Sequence, residues 1–201
     1  AWVFIAVGIA LYKIRKSTSH KTPLQVLGRL GKGMTLVVDR HSAYRTLARK
    51  AGYVLQLCWS HILEDSRELK HAFGAEGKYV HKNLKHIFAL AKGLNHKATP
   101  EQVNQLRAEI IQLTWHHYKH ITVHRFVNNI AHRDIENLFR FTTDPEIDPT
   151  NNISERELRH LVMIRRISHG SRSTRGAAVT AQLTSIIQTF RMQKVNVLQG
   201  L

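Results

Sequence analysis

The sequence predicts an α/β fold, and three observations carry that prediction. Short apolar runs rich in β-branched and aromatic residues cluster in the first third: Trp2–Val7, Ile9–Ile14, Met34–Val38 and Tyr53–Leu57. Between positions 34 and 72 such runs alternate with helical patterns. From Gly74 to about Arg140 the apolar residues recur with the helical period instead.

With 201 residues the chain suits one domain, or one domain carrying an insertion. Its formal charge of +16 exceeds what solubility requires and points to a polyanionic partner, nucleic acid before a membrane surface. Charge alone does not separate a DNA-acting protein from a merely basic one. The single cysteine, Cys58, excludes an internal disulfide and fits a reducing cytoplasm. The opening apolar stretch to Tyr12 is shorter than the roughly 18 residues of a membrane span and has no basic leader. It reads as buried strand. The first residue is Ala, which reads as the start of a piece of something longer.

Trp2–Val7 and Ile9–Ile14 read as two strands with Gly8 between them, and Pro23–Leu30 as a short helix broken by Gly31–Gly33. Met34–Val38, wholly apolar but for Thr35, reads as a central strand that ends at Asp39, the first acid of the chain. An acid at the C-terminal end of a buried strand sits where α/β proteins commonly bind ligands. It could equally cap the next helix, Ser42–Lys50. Gly52 turns the chain into the strand Tyr53–Leu57, and a polar helix is expected over Ile62–Ala72. Between them Cys58-Trp59-Ser60-His61 has a Cys-x-x-His spacing, but two ligands fall short of the four a structural zinc needs. His61 reads as a structural histidine that can also approach a phosphate.

Leu84, Ile87, Phe88, Ala91 and Leu94 share one helical face; Val103, Leu106, Ile110, Thr114 and Tyr118 share another after Ala98-Thr99-Pro100. A third helix is expected over Phe126–Phe139, and these stripes read as core. His116, His120 and His124 are spaced i, i+4 and read as one solvated or DNA-facing basic surface. A last helix from Thr174 is expected to bury Val179, Leu183, Ile186, Ile187 and Phe190.

The most informative stretch is Asp148-Pro-Thr-Asn-Asn-Ile-Ser-Glu155-Arg-Glu-Leu-Arg159, continuing through Arg165-Arg166 to Gly170-Ser-Arg172-Ser-Thr-Arg175-Gly176. Asn152 is placed as an N-cap with Glu155 three residues on, the spacing of a capping box. After Glu157 no acid follows, while arginines recur to Arg191. One carboxylate at a helix start, among arginines and a Gly/Ser/Arg loop, suits a metal-binding acid beside a phosphate backbone.

This stretch resembles the C-terminal part of insertion sequence 66 family transposases, and Val-Val-Asp39-Arg-His-Ser-Ala-Tyr resembles their segment carrying the second catalytic acid. The resemblance runs along essentially the whole chain. It implies an RNase H-like mixed sheet flanked by helices, with a mainly helical insertion before the last catalytic helix. The divisions expected are a strand layer at 1–73, a helical insertion at 74–142 and a C-terminal catalytic segment at 143–201. It further implies a DDE-type DNA transposase in which Asp39 and Glu155, not Glu157, hold Mg²⁺ or Mn²⁺ in a two-metal site. Arg156, Arg159, Arg165, Arg166, Arg172 and Arg175 would contact DNA. The implied setting is a prokaryotic cytoplasm, on the nucleoid when DNA-bound, with a homo-oligomer acting on transposon ends and target. The third family acid belongs upstream, and residues 1–38 contain no Asp or Glu. A fragment lacking the first catalytic Asp is therefore expected; the competing reading is a non-catalytic DNA-binding remnant. Asp65 and Glu68 are remote candidates to substitute for the missing acid.

Overall fold

The computed structural model describes residues 1–15, 17–28, 33–171 and 173–200. The elements begin β1 (Trp2–Ala6), β2 (Ile9–Lys13), α1 (Lys21–Leu27), β3 (Thr35–Val38), α2 (Ser42–Ala51), β4 (Val54–Leu57) and α3 (Trp59–Ala72). They continue α4 (Gly74–Gly93), α5 (Pro100–Gln112), α6 (Ile121–Asn128), α7 (Asn152–Ser168), α8 (Thr174–Met192) and α9 (Val197–Gly200). The fold is α/β and mostly helical. Among the described residues the strands pair only two by two, β1 with β2 antiparallel and β3 with β4 parallel, so no single mixed sheet forms. Contacts gather the chain into two compact units: Ala1–Val26 with Asn152–Leu201, and Leu27–Asn151.

In the first unit, β1 and β2 form a hairpin whose turn uses Gly8 at φ +69°, a conformation only glycine adopts without strain. Tyr12 and Ala10 of β2 are buried with Leu161 of α7 and Ala181 of α8. The backbone N–H groups on the outer edge of β2 are taken by α8 side chains. Ala10 N–H donates to Thr189 Oγ1 (3.1 Å) and Tyr12 N–H to Ser185 Oγ (2.9 Å). This arrangement overturns the expected orientation of the last helix. Its buried residues are Ala181, Thr184 and Gln188, while Val179, Leu183 and Ile186 are each about 40–50% exposed. A strand edge needs hydroxyl partners, and that requirement outweighed the apolar stripe. Helix α1 starts two residues before Pro23; Leu30 and Gly31, at its expected end, lie outside the described residues.

The second unit opens with β3, α2 and β4, a parallel βαβ unit in register Val38↔Leu57. Gly52, at φ +77°, ends α2 in the left-handed region, its N–H bonded to Ala48 O. Helix α3 begins at Trp59, three residues before its expected start, and pairs with α4 as a tight hairpin. A Cβ at Gly77 would collide with the Leu69 carbonyl, so glycine sets how closely these helices approach. Leu84, Ile87 and Ala91 are buried as the periodicity predicts, and Phe88 and Leu94 pack against them. Thr99 and Gln102 form the reciprocal capping box that starts α5.

Beyond α5 the chain departs from the expected helices. A 3₁₀ turn covers Leu113–Trp115, and His116 and His120 are extended. Tyr118 is buried, its hydroxyl donating to Leu113 O (2.8 Å), which pulls the chain out of helical geometry. His116, His120 and His124 therefore do not line one helix; of the three, only His124 lies in α6. The third helix starts at Ile121 rather than Phe126, widens into a π turn over Asn129–Asp134 and tightens to 3₁₀ at Ile135–Asn137. No helix among the described residues is long and apolar enough to cross a membrane.

Candidate functional site

Asp39 stands at the C-terminal end of β3, half-buried directly after the buried Val38. Its Oδ1 accepts the His41 N–H (2.8 Å), and His41 in turn caps α2 by accepting the Ala43 N–H at Nδ1 (3.2 Å). The helix cap is thus His41; Asp39 shapes the turn before it. Tyr44, one turn into α2, has its hydroxyl pushed up to about 12 by burial and then by the Asp39 charge.

The next residue, Arg40, enters a buried ion cluster that the sequence reading missed. Asp134 is fully buried and receives Arg40 Nε (3.0 Å), Arg45 Nη2 (2.7 Å) and Arg133 Nε (3.0 Å). Arg40 also reaches Asp65 (2.9 Å) and lies over the Phe126 ring. Asp65 is therefore committed to Arg40. A signal for this cluster was present. Val127, Ile130, Ala131, Asp134, Ile135 and Leu138 follow a buried helical spacing, and Asp134 is the one charged residue among them.

The partner strand β4 runs into Cys58, whose N–H donates to Val38 O (2.8 Å), so Asp39 and Cys58 leave neighbouring strand ends. Cys58 is fully buried, with Ser60 Oγ at 2.8 Å and the Asn151 N–H donating to its sulfur at 3.3 Å. Burial pushes this thiol up, but hydrogen bonds from His61, Ser60 and backbone N–H groups outweigh it and hold the thiol below its ordinary range. His61, on the first turn of α3, has a ring nitrogen within 4.8 Å of the Cys58 sulfur. Trp59 N–H donates to Pro149 O (2.9 Å). Pro149 to Asn151 are thus anchored directly behind β4.

In the other unit, α7 already includes Asn152, one residue earlier than the N-cap reading, so Glu155 sits at the fourth helical position. Glu157 is buried. Its backbone carbonyl and its Oε2 accept the Tyr12 hydroxyl, each at 3.1 Å, and His160 Nε2 lies 3.6 Å from Oε2. The Tyr12 hydroxyl is pushed well above its usual value by burial and then by Glu157. Glu157 is thereby held as a structural acid of the hairpin.

Arg156, Arg159, Arg165, Arg166 and Arg175 are all exposed, and Arg172 lies outside the described residues. At about 100° per residue, Arg156, Arg159 and Arg166 fall along one side of α7. Arg165 points elsewhere. With Arg15, His169 and the start of α8 it lines an open cavity of about 1010 Å³.

The sequence model of the family described as Transposase IS66 family matches residues 1–179 of the chain. No curated protein and no solved structure matches it. With the match covering most of its length, the chain belongs to the IS66 family of DDE-type transposases, DNA-acting enzymes that depend on divalent metal.

Proposed function

We propose that this chain carries two of the three acids of an RNase H-like transposase centre, with Asp39 and Glu155 sharing a divalent cation. DNA cleavage and joining need an activated water or 3′-hydroxyl and a stabilised leaving oxygen; two ions held by carboxylates supply both when bound. The carboxylates of Asp39 and Glu155 suit a hard cation such as Mg²⁺ or Mn²⁺. One observation supports bringing them together: Pro149 and Asn151 are bonded to Trp59 and Cys58, immediately beyond the strand that pairs with the Asp39 strand. Glu155 follows Asn151 by four residues, so their Cα atoms are at most about 15 Å apart. The fixed role of Glu157 supports Glu155 as the acid of the pair. His61 is a positioning residue in this reading, able to approach a substrate phosphate.

A second reading, a non-catalytic DNA-binding remnant, is supported by the formal charge of +16, which suits DNA binding without any chemistry. Both readings predict that the chain as written binds DNA without cutting it. The deciding assay is 3′-end cleavage with Mg²⁺ or Mn²⁺, comparing this chain with one extended upstream to include an aspartate strand and the end-binding region. We expect cleavage only by the extended protein, and Asp39→Asn or Glu155→Gln in it to lower the rate by at least about 10²–10³. Equal cleavage by either variant removes the assignment.

DNA binding itself is proposed to rest on Arg156, Arg159, Arg165, Arg166, Arg172 and Arg175, largely independent of sequence. Each phosphate neutralised contributes about −0.9 to the slope of log affinity against log salt. Replacing Arg172 and Arg175 by Ala should flatten that slope by nearly two units. An unchanged slope would move the footprint to the histidine-rich insertion.

A further inference from the structure

Trp115 is 76% exposed, whereas Trp2 and Trp59 are buried. It closes the 3₁₀ turn between α5 and α6, and the reason it points outward is local. Leu113 and Tyr118 on either side are both buried and joined by the Tyr118 hydroxyl, which leaves the indole between them on the surface.

The loop holding it is fixed. Glu76, in the first turn of α4, accepts the N–H groups of Lys119 (2.9 Å) and His120 (3.2 Å). The His116 ring stacks on Tyr79 at 4.5 Å and meets Tyr118 edge-on, and His120 packs against Phe73. A loop braced this way holds the backbone that carries the indole, so less freedom is lost when something stacks on it.

Its surroundings combine cations with imidazoles. Residues 110–133 contain no Asp or Glu, and His116, His117, Lys119, His120, His124 and Arg125 are exposed. Glu76, the acid that meets this loop, spends its carboxylate on two backbone donors.

We propose that Trp115, with the stacked His116 and Tyr79 next to it in the fold, is a platform for a base of an unpaired DNA strand. Lys119 and the neighbouring imidazoles take the adjoining phosphates. Aromatic side chains interleaved with cations suit single strands, because every unpaired base offers a π face and a duplex interior offers none. The exposed Ile111 and Ile121 nearby would suit an apolar protein partner instead, but Lys119, Arg125 and four exposed imidazoles in a stretch without Asp or Glu favour the polyanion. The inference rests on DNA being the partner of this family.

The test uses this chain and three probes of equal length: oligo(dT), an abasic strand and a duplex. Trp115 dominates the quenchable emission because the other two indoles are buried. We expect oligo(dT) to quench that emission and the abasic strand to leave it unchanged. Trp115→Ala should weaken oligo(dT) binding by about 5- to 150-fold, the range for one base stack, and leave duplex affinity and its salt slope intact. Trp115→Phe should restore most of the loss. Equal binding of oligo(dT) and the abasic strand overturns the proposal, as does an equal loss on duplex. A change in oligomeric state in Trp115→Ala, with DNA affinities unaltered, overturns it in favour of a protein contact. Failure of the parent chain to bind any of the three probes instead defeats the DNA reading on which the proposal stands.

Discussion

Asp134→Ala should destabilise the fold by about 3–5 kcal/mol, the range for removing one partner of a buried ion pair. The magnitude follows from what stays behind. Arg40 and Arg45 are largely shielded from water and both aim at the lost carboxylate; Arg40 keeps only Asp65, whose side chain is 46% exposed. Arg133 is half exposed and can turn outward, so it adds little. Asp134→Asn keeps the shape but not the charge and should cost less. Replacing Asp134 together with Arg40 and Arg45 by apolar residues of similar volume should recover part of the loss, since no uncompensated charge then remains buried. Urea denaturation followed by circular dichroism reads these differences as shifts in midpoint. A midpoint for Asp134→Ala within experimental error of the parent would show that the cluster does not hold this unit together. Because Arg40 follows Asp39 directly, the same variant should also loosen the strand end on which the proposed metal acid stands.

Trp59→Ala should cost a similar amount, about 3–5 kcal/mol, through a different mechanism. Trp59 is fully buried, stacks on Phe88 at 5.0 Å, contacts Phe139 and donates from Nε1 to Leu138 O (2.8 Å). Truncation removes the largest side chain of the core and leaves a cavity between α3, α4 and the segment after the π turn. It also breaks the indole bond, although Gln56 Nε2 still donates to Leu138 O (3.0 Å). Trp59→Phe fills most of the cavity and should lose only about 1–2 kcal/mol, the hydrogen bond and some packing. If Phe and Ala destabilise equally, the indole N–H matters more than its volume.

Local chemistry was legible where one rule acted alone. The apolar run ending at Val38 made a strand, Gly52 ended a helix with positive φ, and the Ala98-Thr99-Pro100 signal started α5. Reading failed where two demands competed for one segment. The stripe of Val179, Leu183 and Ile186 predicted the buried side of α8, but β2 needed hydroxyl partners and turned Ser185 and Thr189 inward. The i, i+4 histidines predicted a helical face, but burial of Tyr118 broke the helix between them. For the proposed site, Asp39 and Glu155 come from family resemblance, since position alone left Asp39 as plausible a cap as a ligand. Spacing marked Asp134 as a charge on a buried face but not its partners, because Arg40 and Arg45 lie about ninety residues away and spacing rules carry no information over such separations.

The π turn at Asn129–Asp134 has a consequence for how this segment can change length. A π turn accommodates more residues than an α turn, so losing one residue between Asn129 and Arg133 would let the backbone rewind as ordinary helix. The segment downstream would then keep nearly the same orientation, because one residue fewer in α geometry turns the chain about as far as the wider π turn does. Asp134 would still meet its arginines, and Ile135 and Leu138 would stay in the core. Gain of a residue would instead rotate that segment by about 100° and pull all three away. Along this stretch natural variation is therefore open to losing one residue and closed to gaining one.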